Sequence, residues 1–253
     1  MEKTAFHHRT ITDIVEHNYV YAYALYHSGI RFYEHTDDTP DNTLEQVCRG
    51  RGLNMAQVVQ SLQQAGHPQD TQPVALENLP IDLVIEYLRH AHAVFIKRKL
   101  PYMAHLVETL RQESFACTRD LQIVFPLFVE DFILHIHEEE DTFFRYVDLL
   151  RQARQRQISP GRIFFDLEKH SVQLFAIEHE THDDEMTGIR EITNQYTLPD
   201  GHTPHLKVVF AELKAFEQDL TIHARIENEI LFPKALVLEK EVKDMVRQTA
   251  QWN

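Results

Sequence analysis

The chain has 253 residues, 43% of them hydrophobic, enough to bury a full core in one large domain or in a large and a small one. Its net charge of −14 argues against nucleic acid as a partner, because phosphate repulsion would need a local basic patch that the sequence does not show. No run of 18 apolar residues occurs, Met1-Glu2-Lys3-Thr4 does not open a signal peptide, and Cys48 and Cys117 form no CxxC pattern, so a cytoplasmic protein with no membrane partner is expected.

Thr10 to Glu16 and Val20 to Tyr26 read as two short helices ended by Ser28-Gly29. Thr43-x-x-Gln46 has the form of a capping box and opens a helix through Cys48 to Gly50, and Asn54-x-x-Gln57 opens another to about Gln64. From residue 66 to 80 the periodicity fades, and Pro68, Pro73 and Pro80 mark a linker. Four long periodic segments follow, at about 81 to 113, 118 to 153, 166 to 194 and 204 to 231, with a short closing helix near 235 to 250. Pro101 and Pro126 loosen those boundaries. The stretch with Arg151, Arg154, Arg156 and Arg162 reads as a polar helix end and loop. No alternating β pattern of useful length occurs. The expected architecture is all-α: a small helical module at 1–66, a linker at 67–80 and a four-helix bundle at 81–253.

One phrase occurs twice. His135-x-x-x-Glu139-x-x-x-Phe143-Phe144 is the first copy, and His223-x-x-x-Glu227-x-x-x-Leu231-Phe232-Pro233 the second. Residues i and i+4 share a helix face, so each copy aims an imidazole and a carboxylate at one point. The surrounding seams run Leu121, Phe125, Phe128, Phe132, His135, Glu139, Thr142, Tyr146, Leu149 and Val209, Leu213, Phe216, Leu220, His223, Glu227, Ile230, which puts both pairs on core-facing stripes. A glutamate sunk alone in such a stripe would cost several kcal/mol or stay protonated, and a cation is the simplest partner.

Each phrase has a core histidine upstream, His92 at 43 residues before His135 and His179 at 44 before His223, as in a duplicated helix pair. His90 falls on a more polar face and is the alternative to His92, while His182 is on the inward face beside His179 as a further ligand or a hydrogen-bonding partner of one. Four imidazoles and two carboxylates suit two metal ions, with Glu139 and Glu227 shared as bridges and positions left for water or a diatomic molecule. Nitrogen and oxygen donors without thiolate favour iron or manganese over structural zinc. The bland alternative is a set of buried core histidines. His137 shares its face with Glu130 and Asp141 and reads as solvated; within Glu138 to Asp141 only Glu139 falls on the seam. No HExxH phrase and no activated serine or cysteine arrangement occurs, so no catalytic residue is assigned and enzymatic turnover is left open.

Glu227-Asn228-Glu229-Ile230-Leu231-Phe232-Pro233 after His223, and Glu178-His179-Glu180 ahead of a helix ending before Leu198-Pro199, resemble the ligand segments of hemerythrin-like proteins, in particular the repair-of-iron-centres (RIC) di-iron proteins. The resemblance implies a hemerythrin-like bundle holding two iron ions, with manganese or zinc ranked behind. His92 (or His90), His135, Glu139, His179, His223 and Glu227 would be the ligands. It also implies repair of iron-sulfur clusters damaged by oxidative or nitrosative stress, with damaged iron-sulfur proteins or small diatomic ligands such as oxygen and nitric oxide as partners. Oxygen or nitric oxide binding or sensing, or iron storage, is the alternative. The N-terminal segments Thr10 to Val15, Ser28-Gly29-Ile30 and Thr43 to Leu62 are similar to the family's short N-terminal module, but Tyr33-Glu34 stands where that module has paired cysteines. The oligomeric state, with a homodimer as one option, is left open.

Overall fold

The computed structural model describes residues 6–18, 20–30, 42–65, 76–111, 116–180 and 186–251, and among these it is helical throughout, with one isolated bridge between Thr10 and Thr43 and no strand. The first helices are α1 (Ile11–His17), α2 (Val20–His27), α3 (Leu44–Arg51) and α4 (Met55–Ala65). Their starts follow from local chemistry. Thr10 Oγ1 accepts from the Asp13 amide at 3.2 Å; Thr43 and Gln46 close a reciprocal capping box at 2.9 and 3.3 Å; Asn54 Oδ1 accepts from the Ala56 and Gln57 amides. Gly52, at φ 65°, ends α3 in the left-handed conformation that glycine adopts without steric cost. Tyr33-Glu34 and most of the proline-marked linker lie outside the described residues.

The rest of the chain is α5 (Ile81–Val94), α6 (Leu100–Glu108), α7 (Ala116–Glu139), α8 (Arg145–Arg154), α9 (Pro160–Lys169), α10 (Val172–Glu180), α11 (Thr187–Ile192), α12 (Pro204–Ile226) and α13 (Phe232–Gln251). Three pairs of these are continuous rods joined by a π turn: Phe95–Lys99 between α5 and α6, Glu140–Phe144 between α7 and α8, and Glu227–Leu231 between α12 and α13. The separate closing helix expected near 235 to 250 is therefore the far half of the rod that begins at Pro204. Pro233 does not break that rod, because it sits in the first turn after a π segment, where its missing N–H is tolerated; Pro101 does the same after the first π segment. The third long segment is itself divided at His170-Ser171, between α9 and α10.

The rods run up and down. His92 meets Glu140 while Val107, further along, meets Gln122, so the first and second rods are antiparallel. Counting α10 and α11 together as the third rod and α12–α13 as the fourth, His179 of α10 meets Glu227 while Arg190 of α11 meets Glu217, so these two are antiparallel as well. Two apolar clusters fill the structure. One joins Ile11, Ile14, Leu25, Leu44 and Leu62 of the N-terminal helices to Leu106, Phe125, Leu213 and Phe216 of the bundle. The other joins Val84, Leu88, Phe143, Phe144, Tyr146, Leu231 and Phe232. The histidine and glutamate pairs occupy the boundary between them: His92 stacks on Phe144 of the second cluster, and His223 packs edge-on against Phe95 of the first. Among the described residues, no helix is long and apolar enough to cross a membrane.

Candidate metal centre

The π turns of the second and fourth rods begin beside Glu139 and at Glu227, and that placement resets the helix face. An α-helix advances 3.6 residues per turn, whereas a π turn takes one residue more before its hydrogen bond closes, so the buried stripe slips by one position. The continuous seam expected through Glu139, Thr142, Tyr146 and Leu149 is accordingly broken. Thr142 is exposed, and Phe143, Tyr146, Val147 and Leu150 are buried instead. In the fourth rod Leu231 is fully buried where Ile230 continues the sequence seam.

At this junction four side chains from three rods converge. One donor atom from each of His92, Glu139, His223 and Glu227 lies within 4.8 Å of the others, and the group could hold a metal ion. His92 Nε2 is 3.0 Å from His223 Nε2 and 3.5 Å from Glu139 Oε2. Glu227 receives an imidazole on each oxygen, His223 Nε2 on Oε1 and His179 Nε2 on Oε2, both at 2.9 Å. His179 comes from the third rod, and its ring centroid is 6.1 Å from that of His135. His135 and His179 line the same cavity as the other four residues, a space of about 350 Å³, and also a second cavity of about 330 Å³ bounded by Phe143, Phe175 and Phe232. The structure thus gathers His92, His135, Glu139, His179, His223 and Glu227 around one space.

His90 is excluded from it. A two-residue step turns most of the way around a helix, and His90 is exposed, lining a separate hollow with Tyr87 and Asp219. His182 lies outside the described residues. His137 is exposed, as its polar face requires.

Within the acidic run only Glu139 is buried, as the seam requires; Glu140, the first residue of the π turn, is half-buried, yet its Oε1 lies 2.8 Å from His92 Nδ1. The sequence signal for this was faint: the phase slip between Glu139 and Phe143-Phe144 is visible only once a π turn is considered.

The donor set fits a cation. Glu227 is 1% exposed, and its Oε1 makes no well-formed hydrogen bond among the described residues despite its closeness to His223. Burial alone would raise the Glu227 carboxyl, but the His223 and His179 rings outweigh burial and hold it well below the usual carboxylate range. Burial pushes His92 down to about 4, with the neighbouring His223 adding to the effect, so this ring is neutral near pH 7 and its nitrogen lone pair is available for ligation. Two ring nitrogens at 3.0 Å flanked by two carboxylates present more lone pairs than protons to one another, which is the arrangement a metal ion resolves.

A second buried carboxylate, absent from the sequence reading, anchors the third rod. Glu239 on α13 accepts from Tyr146 Oη at 2.8 Å, from the Val172 amide at the start of α10 at 3.1 Å, and from Lys243 Nζ at 2.9 Å. It caps the helix that carries His179.

No known protein family's model matches the chain. It is nevertheless a distant relative of proteins named iron-sulfur cluster repair protein YtfE. Those of Yersinia pestis (strain Pestoides F) and Yersinia pseudotuberculosis serotype O:1b (strain IP 31758) are each 26% identical to it over 168 residues, covering 66% of this chain and 69% of theirs.

Proposed function

We propose that this chain holds two iron ions at the centre built by His92, His135, Glu139, His179, His223 and Glu227, and that it serves the repair of iron-sulfur clusters damaged by oxidative or nitrosative stress. The observation that carries the metal reading is the convergence of four buried donors from three helices within 4.8 Å. The arithmetic of the donors supports two ions: four imidazoles would divide as two per ion, with Glu139 and Glu227 shared between them. Repair is supported by the name of the distant Yersinia relatives. Oxygen and nitrogen donors without thiolate suit iron, with manganese or zinc as weaker alternatives. Iron bound there would supply one-electron redox chemistry and coordination positions for small molecules.

The chain's own residues do the rest. Phe132, Ile136 and Leu220 line one cavity beside the donors, and Phe143, Phe175 and Phe232 line the other, giving each an apolar side. Cytoplasmic location, damaged iron-sulfur proteins as clients and homodimer formation belong to this proposal.

Elemental analysis of protein purified without added metal or affinity tag tests the first part, with close to two irons per chain expected. Restoration of activity to a damaged iron-sulfur enzyme by the iron-loaded protein tests the second. Failure there, alongside success by one of the Yersinia relatives, refutes repair. The second reading is reversible binding of oxygen or nitric oxide, favoured by the cavity that the donors line, which has room for a small molecule. A reversible spectral change on exposing the reduced protein to either gas, without turnover, would select it.

A further inference from the structure

Consecutive side chains on an α-helix diverge by about 100°, so two adjacent glutamates cannot ordinarily grip the same ring. Glu139 and Glu140 do. Glu139 closes α7 and Glu140 opens the π turn; Glu139 Oε2 stands 3.5 Å from His92 Nε2 while Glu140 Oε1 stands 2.8 Å from His92 Nδ1. The opposite face of the imidazole is held by Phe144 from the end of the same π turn, stacked at 5.7 Å with the planes only 5° apart. One turn of one helix therefore positions the His92 ring on three sides.

We propose that Glu140 is the positioning residue of this centre. It accepts a hydrogen bond from His92 Nδ1–H and so fixes the ring in the one tautomer whose Nε2 lone pair faces Glu139, His223 and Glu227. A carboxylate accepts and cannot donate, which leaves the shared proton on Nδ1 and the lone pair on Nε2. The two repeats are unequal in this respect: the position matching Glu140 in the second copy, after Glu227, is the neutral Asn228. The carboxylate–imidazole pair, which raises ligand basicity and orients the ring, belongs to the first repeat, and the two metal positions differ accordingly. This rests on the reading of the cluster as a metal centre, but its first test does not need a metal.

Histidine-selective nitrogen-15 spectra of the metal-free protein, with His92 assigned by the signal lost in His92→Gln, should show the Nδ1–H tautomer in the wild type. Glu140→Ala should give a mixture or the opposite tautomer, and Glu140→Asp, which keeps the carboxylate, should restore the native form at least in part. An unchanged tautomer in Glu140→Ala overturns the proposal. Anaerobic titration with ferrous ion, or with cobalt(II) as a visible probe, then measures the consequence. Glu140→Ala should weaken one of the two binding steps by roughly 10- to 100-fold, while the exposed Asp141→Ala leaves both unchanged. Equal affinity in Glu140→Ala and wild type also overturns it. If the wild type takes up neither ion, the metal reading fails, and the tautomer spectra alone decide whether Glu140 holds the ring.

Discussion

Of the glutamates buried in this bundle, Glu227 at 1% exposure and Glu239 at 6% have surroundings that differ in kind. Glu239 meets groups that donate to it: a tyrosine hydroxyl directed at it, a backbone amide and a lysine ammonium. Glu227 meets imidazole nitrogens, which donate or accept according to their protons, and those nitrogens also crowd one another. A buried carboxylate surrounded by fixed donors is complete as it stands and belongs to the architecture. One surrounded by groups with lone pairs of their own is completed by a cation. The two sites are on one rod, so the contrast comes from their partners rather than from their helix.

The comparison breaks if metal does not distinguish the two sites. Ferrous ion at about a thousand times its dissociation constant should stabilise the wild type by about 4 kcal/mol. In the double variant Glu139→Ala with Glu227→Ala that increment should vanish, while the metal-free form loses some stability, because the imidazoles that outweigh the burial of Glu227 lose their partner. Chemical denaturation with and without the ion reads both.

Glu239→Ala should do the reverse. It leaves a buried tyrosine hydroxyl and a helix-starting amide without their acceptor, at a cost of about 3 kcal/mol whether or not metal is present. A loss that appears only in the metal-loaded protein would show that Glu239 serves the centre rather than the fold.

Acid sharpens the comparison with a buried imidazole away from the cluster. Burial pushes His205 from 6.5 down to about 4, against a partly offsetting hydrogen bond to the Leu106 backbone. The unfolded chain therefore binds this proton more readily than the folded one. The stability His205 contributes is full above pH 6.5 and drains as the pH falls toward 4, by about 2 kcal/mol between pH 7 and 5. His205→Gln should flatten that part of the pH–stability curve in the metal-free protein. An unchanged slope would place the acid sensitivity at the metal donors instead.

The smallest effect concerns the N-terminal helices. Thr43→Ala removes one half of the capping box and should cost about 1 kcal/mol in thermal or urea unfolding, with metal uptake unaltered. A change in metal stoichiometry would show that these helices act on the centre through the apolar cluster they share with the bundle.

Much of this was legible because it rests on local rules. Threonine and asparagine caps at Thr10, Thr43 and Asn54 act within three residues, and helix starts were readable from them. The repeated His-x-x-x-Glu phrase is likewise local, since four residues on a helix bring two side chains together whatever surrounds them. The choice between His90 and His92 needed only the helix rotation that puts one of them outside. The contact of Glu140 with His92 was not legible, because the heptad seam assumes an uninterrupted 3.6-residue turn and the π turn violates it at that residue. The same violation joined the closing helix to the fourth rod across Pro233.

By itself, then, the sequence determined an all-helical chain, its capped starts, and two inward-facing histidine–glutamate pairs, each the product of contacts within a turn of helix. The tertiary structure decided which groups from different rods meet: His92 with Glu140, His179 with Glu227, Glu239 with the amide that begins α10. Those pairings span 48 to 67 residues of chain. They depend on the phase in which each rod presents its face, and that phase is set by π turns that only the packing of large aromatic residues against neighbouring helices holds in place.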